Sequence, residues 1–188
     1  MRSGVVMVIA LAACQASTTR PTFGPLPGAA TGEVHLGPEE ATRTLAAALK
    51  ADSIELHFVH EGDGVIVSEW LDVPGYQKSN GRGLGPGTVR VRAWVDRGVI
   101  TQADTASVYT VETAYRVYVD PSREERETEQ PVADTHPARL KIVKLLERVS
   151  KEHGGGGPAP ADSALRVPAP PPPPSPGAGR GAHGAVIP

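Results

Sequence analysis

The side chains that could do chemistry in this chain are few, and their spacing suits none of the common constellations. His57 and His60 stand three apart in an alternating, strand-like run, which places them on opposite faces and denies them a shared metal ion. Ser68, His60 and Asp63 supply the residue types of a hydrolytic triad, yet no nucleophile elbow presents Ser68. The run Gly81-Arg82-Gly83-Leu84-Gly85-Pro86-Gly87 has the glycine content of a phosphate loop. Such a loop follows a strand and opens a helix, whereas this one leads into a strand. The sequence therefore assigns no catalytic, metal or cofactor residue, and expects no cofactor.

The single cysteine, Cys14, is more specific. It follows Arg2, the apolar run Gly4 to Ala10 and Leu11-Ala12-Ala13. A basic start, a short apolar stretch and small residues make a secretory signal over residues 1–13, too short for a span of about 20 apolar residues. The tetrapeptide Leu11-Ala12-Ala13-Cys14 resembles the lipobox of bacterial lipoproteins. That resemblance implies a diacylglyceryl group on the Cys14 sulfur, removal of the preceding peptide and acylation of the new amino terminus. Several acyl chains hold a protein durably where one gives only marginal binding. In that family an Asp after the cysteine retains the protein in the inner membrane, so Gln15 points to the outer membrane, facing the periplasm. With Cys14 carrying lipid, no thiol is left for a disulfide, a zinc cluster or a nucleophile.

The net charge of −2 gives no global field for nucleic acid, which is excluded as a partner. The 21 glycines and 19 prolines concentrate at the two ends. Residues 14–37 read as the lipidated cysteine and a flexible tether, with a stretched reach of about 80 Å. Residues 154–188 read as a disordered tail, with a polyproline II rod at Pro170 to Pro174.

Between these ends, residues 38–153 read as one domain. Pro38, Glu39 and Glu40 open a helix that Lys50 closes, with Ala41, Leu45, Ala48 and Leu49 on one face. Ile54 to Glu61 and Val65 to Val73 flank Gly62-Asp63-Gly64 as a hairpin. Pro74 to Gly87 reads as a long mobile loop. Val89 to Val95 and Val108 to Val119 are further strands, joined through Gly98 to Ala106; Asp120 to Pro131 is expected as a solvated, charged excursion. Pro137 begins the last helix, with Thr135 or His136 as its cap. The expected fold is α+β, a two-layer sandwich of about four antiparallel strands with two helices on one face, flanked by disordered ends. This order, with the run Gly64 to Trp70, resembles the helix-grip domains of the lipoprotein C component of the outer-membrane β-barrel assembly machinery. The resemblance implies an accessory, protein-binding role rather than catalysis.

On the polar face of that sheet, Arg90, Arg92 and Trp94 lie near Arg116 and Tyr118 on the next strand. Arginines and aromatics offer contact area with a polar handle, so these five form a candidate interaction surface. The alternative is a solvated sheet face on which Glu112 pairs an arginine across strands. The expected function is that of a lipid-anchored envelope protein, non-enzymatic, binding or scaffolding another envelope component. The rival is an envelope enzyme or small-ligand binder with a site near the Pro74–Gly87 loop, using Glu69, Asp72 or Tyr76.

Overall fold

A computed structural model describes residue 18 and residues 20–73, 75–80, 82–98 and 106–154. Cys14, the signal and the Pro-rich tail lie outside the described residues, as do Pro74 and Gly81. The chain is an α+β fold of two helices on an antiparallel sheet. Its strands are β1 (Ala30–Val34), β2 (Leu56–His60), β3 (Val65–Ser68), β4 (Leu71–Asp72), β5 (Gln77–Lys78), β6 (Thr88–Arg97), β7 (Ser107–Arg116) and β8 (Glu129–Pro131). Its helices are α1 (Pro38–Ala51) and α2 (Pro137–Glu152). Among the described residues no helix is long and apolar enough to cross a membrane.

Eight strands among the described residues, rather than about four, correct the expected count, and the sheet's path shows where the others come from. Its main order is β1-β7-β6-β3-β2. The run expected as one strand from Val65 to Val73 is split: Val65 to Val67 pair with Trp94 to Arg92 on β6, and Leu71 and Asp72 pair with Val89 and Thr88. The Gly-rich loop is not wholly irregular, because Gln77 and Lys78 form β5 against Asp72 and Leu71. On the outer side of β7, β1 and β8 lie end to end, Ala30 opposite Val111 and Glu129 opposite Arg116.

β1 also corrects the expected tether. Ala30, Gly32 and Val34 are buried against the helices, and Val34 is fully excluded from solvent. The segment contains only one large aliphatic side chain, so composition marked it as unable to bury a core. It succeeds because α2 comes close to its backbone. A Cβ at Gly32 would stand 3.1 Å from Ser150 Oγ and 3.5 Å from Leu146 Cβ. Small residues here are packing partners, and the ordered domain begins before Pro38.

The two helices cover one face. Ala41, Leu45 and Leu49 of α1 and Ile142, Leu145, Leu146 and Val149 of α2 enclose Val89, Val91, Ala93, Val95, Tyr109 and Val111 in a single core. The buried Tyr109 hydroxyl donates to the Ala41 carbonyl at 3.0 Å, which fixes α1 to the sheet. Pro38 occupies the first turn of α1, with Glu39 and Glu40 beside its positive end. At α2 the cap is His136, whose ring accepts from the Ala138 N–H at 3.2 Å.

β7 ends at Arg116, three residues short of the expected Val119. The Val117 N–H is drawn to the Thr128 carbonyl at 2.9 Å, and the side chains of Val117 and Val119 are left in solvent.

Candidate functional site

The face of the sheet turned away from the helices carries the residues picked out as an interaction surface. Strand alternation places Arg90, Arg92 and Trp94 of β6 there, and register places Ala114, Glu112 and Thr110 of β7 directly opposite them. Arg92 lies 3.1 Å from Glu112 across the strands, the pairing the solvated-face alternative anticipated. The face is nevertheless not solvated. The segment expected as a charged excursion folds back as a 3-10 turn over Glu125–Thr128 followed by β8, and lays its carboxylates on the arginines.

Glu129 accepts two hydrogen bonds from Arg92, at 2.5 and 2.6 Å. Arg126 bonds Glu112 at 2.5 Å. Glu125 bridges Arg90, at 2.5 Å, and Arg116, and also accepts from the Trp70 indole at 3.1 Å. Two guanidiniums lie over the Trp70 ring, that of Arg90 at 4.5 Å and that of Arg116 at 4.2 Å from its centre. Phe23 plays the matching role, 4.6 Å from Arg126 and 5.6 Å from Arg92, with its ring edge-on to Trp94 at 6.4 Å. The Leu26 N–H donates to Glu112 at 2.6 Å, and Arg126 donates to the Gly24 carbonyl at 2.6 Å. Residues 23–26 therefore strap the same face.

Charge and burial act in opposite directions within this layer. Burial tends to lower the Arg92 affinity for its proton, but bonds to Glu129 and Glu112 outweigh it and hold the guanidinium above its ordinary value. For Arg90 burial prevails over Glu125, and the value falls. Burial would raise Glu125, yet Arg90 and Arg116 overcome it and lower its carboxyl below the ordinary range. All three groups stay ionised near neutrality. The guanidiniums are engaged by the chain's own carboxylates, so the layer works as a clasp.

The proposed surface of Arg90, Arg92, Trp94, Arg116 and Tyr118 is therefore corrected for four of its five members. Arg92 and Trp94 are buried, and Arg90 and Arg116 are covered by Glu125 and Trp70. Tyr118 alone is open, 42% exposed, between Val117 at 43% and Val119 at 56%. The Gly85 N–H bonds the Arg116 carbonyl at 2.7 Å, which brings exposed Leu84 to this same end of the sheet.

The other candidates separate. His57 faces Glu69 at 3.3 Å, while His60 lies 3.3 Å from Asp63 and stacks on Phe58. Leu56 pairs with Ser68 and His60 with Val65, so Ser68 is about 10 Å along the hairpin from His60. Ser68 is fully buried, donating to the Glu69 carbonyl at 2.7 Å and accepting from Val91 N–H at 2.8 Å. It holds the strand break together. Glu69 is taken by Lys78 at 2.7 Å and Asp72 by Thr88 at 2.8 Å, while Tyr76, at φ 52°, carries Lys141 over its ring at 3.9 Å. The rival site's three polar groups thus have separate partners. A groove of about 550 Å³ lies elsewhere, between the start of α1, Gly62 and Arg97. Among the described residues no group of three or more His, Cys, Asp and Glu side chains is placed to hold a metal.

Sequence reasoning missed Phe23, Trp70, Glu125, Arg126 and Glu129. One available signal was the acid-rich stretch at residues 124–129, since arginines on a sheet face that becomes covered require carboxylates to pair with them. No protein-family model matches the chain, and no curated protein is similar to it.

Proposed function

We propose that the chain is a lipid-anchored envelope protein whose domain is a non-enzymatic docking module for another envelope protein. The anchor rests on Leu11-Ala12-Ala13-Cys14. The observation that carries the docking role is the exposed apolar run Val117-Tyr118-Val119, with exposed Leu84 brought to the same end of the sheet by the bond between Gly85 and Arg116. The ways the chain uses its reactive types support a non-enzymatic role: Ser68 bridges two strands, and the carboxylates of the second sheet face neutralise arginines.

Two measurements test this. Intact mass of the mature wild type exceeds that of unlipidated residues 14–188 by the acyl groups, and Cys14→Ala lacks that increment; an unlipidated wild type would remove the anchor. A photo-crosslinker replacing Tyr118 in intact envelopes gives one discrete adduct that Val117→Ser with Val119→Ser abolishes. The same crosslinker at exposed His57 gives none. Equal adducts from both positions would overturn the docking role.

A further inference from the structure

The N-terminal strap has a direction. Leu26 is bonded to Glu112, which sits opposite Arg92; Phe23 lies against Trp94; and Arg20 pairs with Asp96 at 2.8 Å. Followed backwards, the chain climbs β6 from Arg92 to Asp96 and leaves the domain at the end where Asp96 and Arg97 meet Val108 and Ser107. Five residues then lie between Arg20 and Cys14, a reach of at most about 20 Å. Even from Phe23, which is held by two arginines and Trp94, the reach to Cys14 is about 30 Å.

Resting on the lipoprotein reading, we infer that the anchor holds the Asp96–Arg97 end of the domain against the membrane surface, and that the Val117–Val119 end points away from it. The occupant of the anchor-side end is the lipid headgroup layer. The two ends lie at opposite termini of β7, ten residues long, hence about 30 Å apart. The start of α1 and the turn at Gly62 belong to the anchor side, since they line one groove with Arg97. So does the end of α2, where the His35 N–H bonds the His153 carbonyl at 2.9 Å beside the Val34–Ser107 pair. Gly154 consequently lies on the anchor side too.

Charge does not produce this contact. Arg20, Arg43 and Arg97 are outnumbered near that end by Glu39, Glu40, Glu61, Asp63 and Asp96, so anionic lipid gains nothing there. The short covalent link does. An apolar patch at the far end is thereby kept from the bilayer and offered to a partner.

The test uses the full lipidated chain in phosphatidylcholine vesicles carrying an acceptor-labelled headgroup. Donor dyes are placed on Arg97→Cys or Tyr118→Cys, Cys14 being blocked by its lipid. Energy transfer from position 97 exceeds that from 118 by about twofold or more, given roughly 30 Å between them. Twenty Gly-Ser residues inserted after Gln15 add a mean span of about 25 Å and reduce the difference. Protein that floats with the vesicles yet transfers equally from both positions overturns the orientation alone. Protein that does not float overturns the anchor, and the orientation with it.

Discussion

Arg92 and Glu112 face each other across β6 and β7, 3.1 Å apart, with side chains only 6% and 1% exposed. A charge pair so enclosed is held by what completes it. Glu129, with its side chain fully buried, accepts two further hydrogen bonds from Arg92, and Glu112 accepts others from Arg126 and from the Leu26 N–H. Removing one partner strands the others.

Arg92→Ala is therefore expected to cost about 3–5 kcal/mol, because it leaves Glu112 and Glu129 buried with a deficit of positive charge. The apolar change of the whole cluster, Arg92→Met, Arg126→Met, Glu112→Leu and Glu129→Leu, leaves none of these charges unpaired and is expected to recover most of that loss. Urea midpoints of the two variants decide it. A single variant within about 1 kcal/mol of wild type would show that water enters the clasp.

Glu125 gives the same layer a pH dependence. Its folded value lies below the ordinary 4.5, since Arg90 and Arg116 outweigh its burial. A depressed carboxyl contributes stability that is fully present above pH 4.5 and is lost as pH falls through the folded value. Glu125→Gln should thus be less stable near neutrality, while its stability falls less steeply below pH 4.5. Parallel acid slopes in the two proteins would exclude Glu125 as their source.

The helix layer was legible from the sequence because periodicity reports burial directly. Pro38, Pro137 and the alternation of Val89, Val91, Ala93 and Val95 each place an element where the structure has it. The second face was not legible, for two physical reasons. Residues 120–131 look solvated because their charges can pair locally, as Arg123 does with Asp120 and Glu127, whereas the arginines that Glu125 and Glu129 bind lie on β6 and β7, far away in sequence. Ala30 to Val34 look like linker because small residues carry little apolar area, while their value lies in how near α2 can come. Of the candidate surface, only Tyr118 remained outside once residues 120–131 and the strap at residues 23–26 were in place.

Phe23 tests whether the N-terminal strap belongs to the domain. Phe23→Ala removes an edge contact to Trp94 and the ring under Arg92 and Arg126, together worth about 1–3 kcal/mol. Wetting of Trp94 should then shift the tryptophan emission to longer wavelength. Amide exchange at Leu26, whose N–H is bonded to Glu112, should accelerate more than exchange in α2. An unchanged spectrum would mean that Phe23 is not what keeps water from Trp94.

The contact between β1 and α2 carries an opposed pair of effects. Ser150 Oγ is buried with no hydrogen-bond partner among the described residues, and it stands in the space that a Cβ at Gly32 would enter. Gly32→Ala should cost about 1–3 kcal/mol, because it crowds Ser150 and Leu146 in a packed interface. Ser150→Ala removes a hydroxyl that lost its water on folding and regained nothing, so it should be neutral or stabilise by up to about 1 kcal/mol. With the hydroxyl gone, the added methyl has more room. The double variant should then be more stable than the sum of the single changes predicts, by about 0.5 kcal/mol or more. Thermal melts of the four proteins complete the cycle, and strict additivity would show that Leu146 or the backbone, rather than Ser150, sets how closely α2 approaches β1.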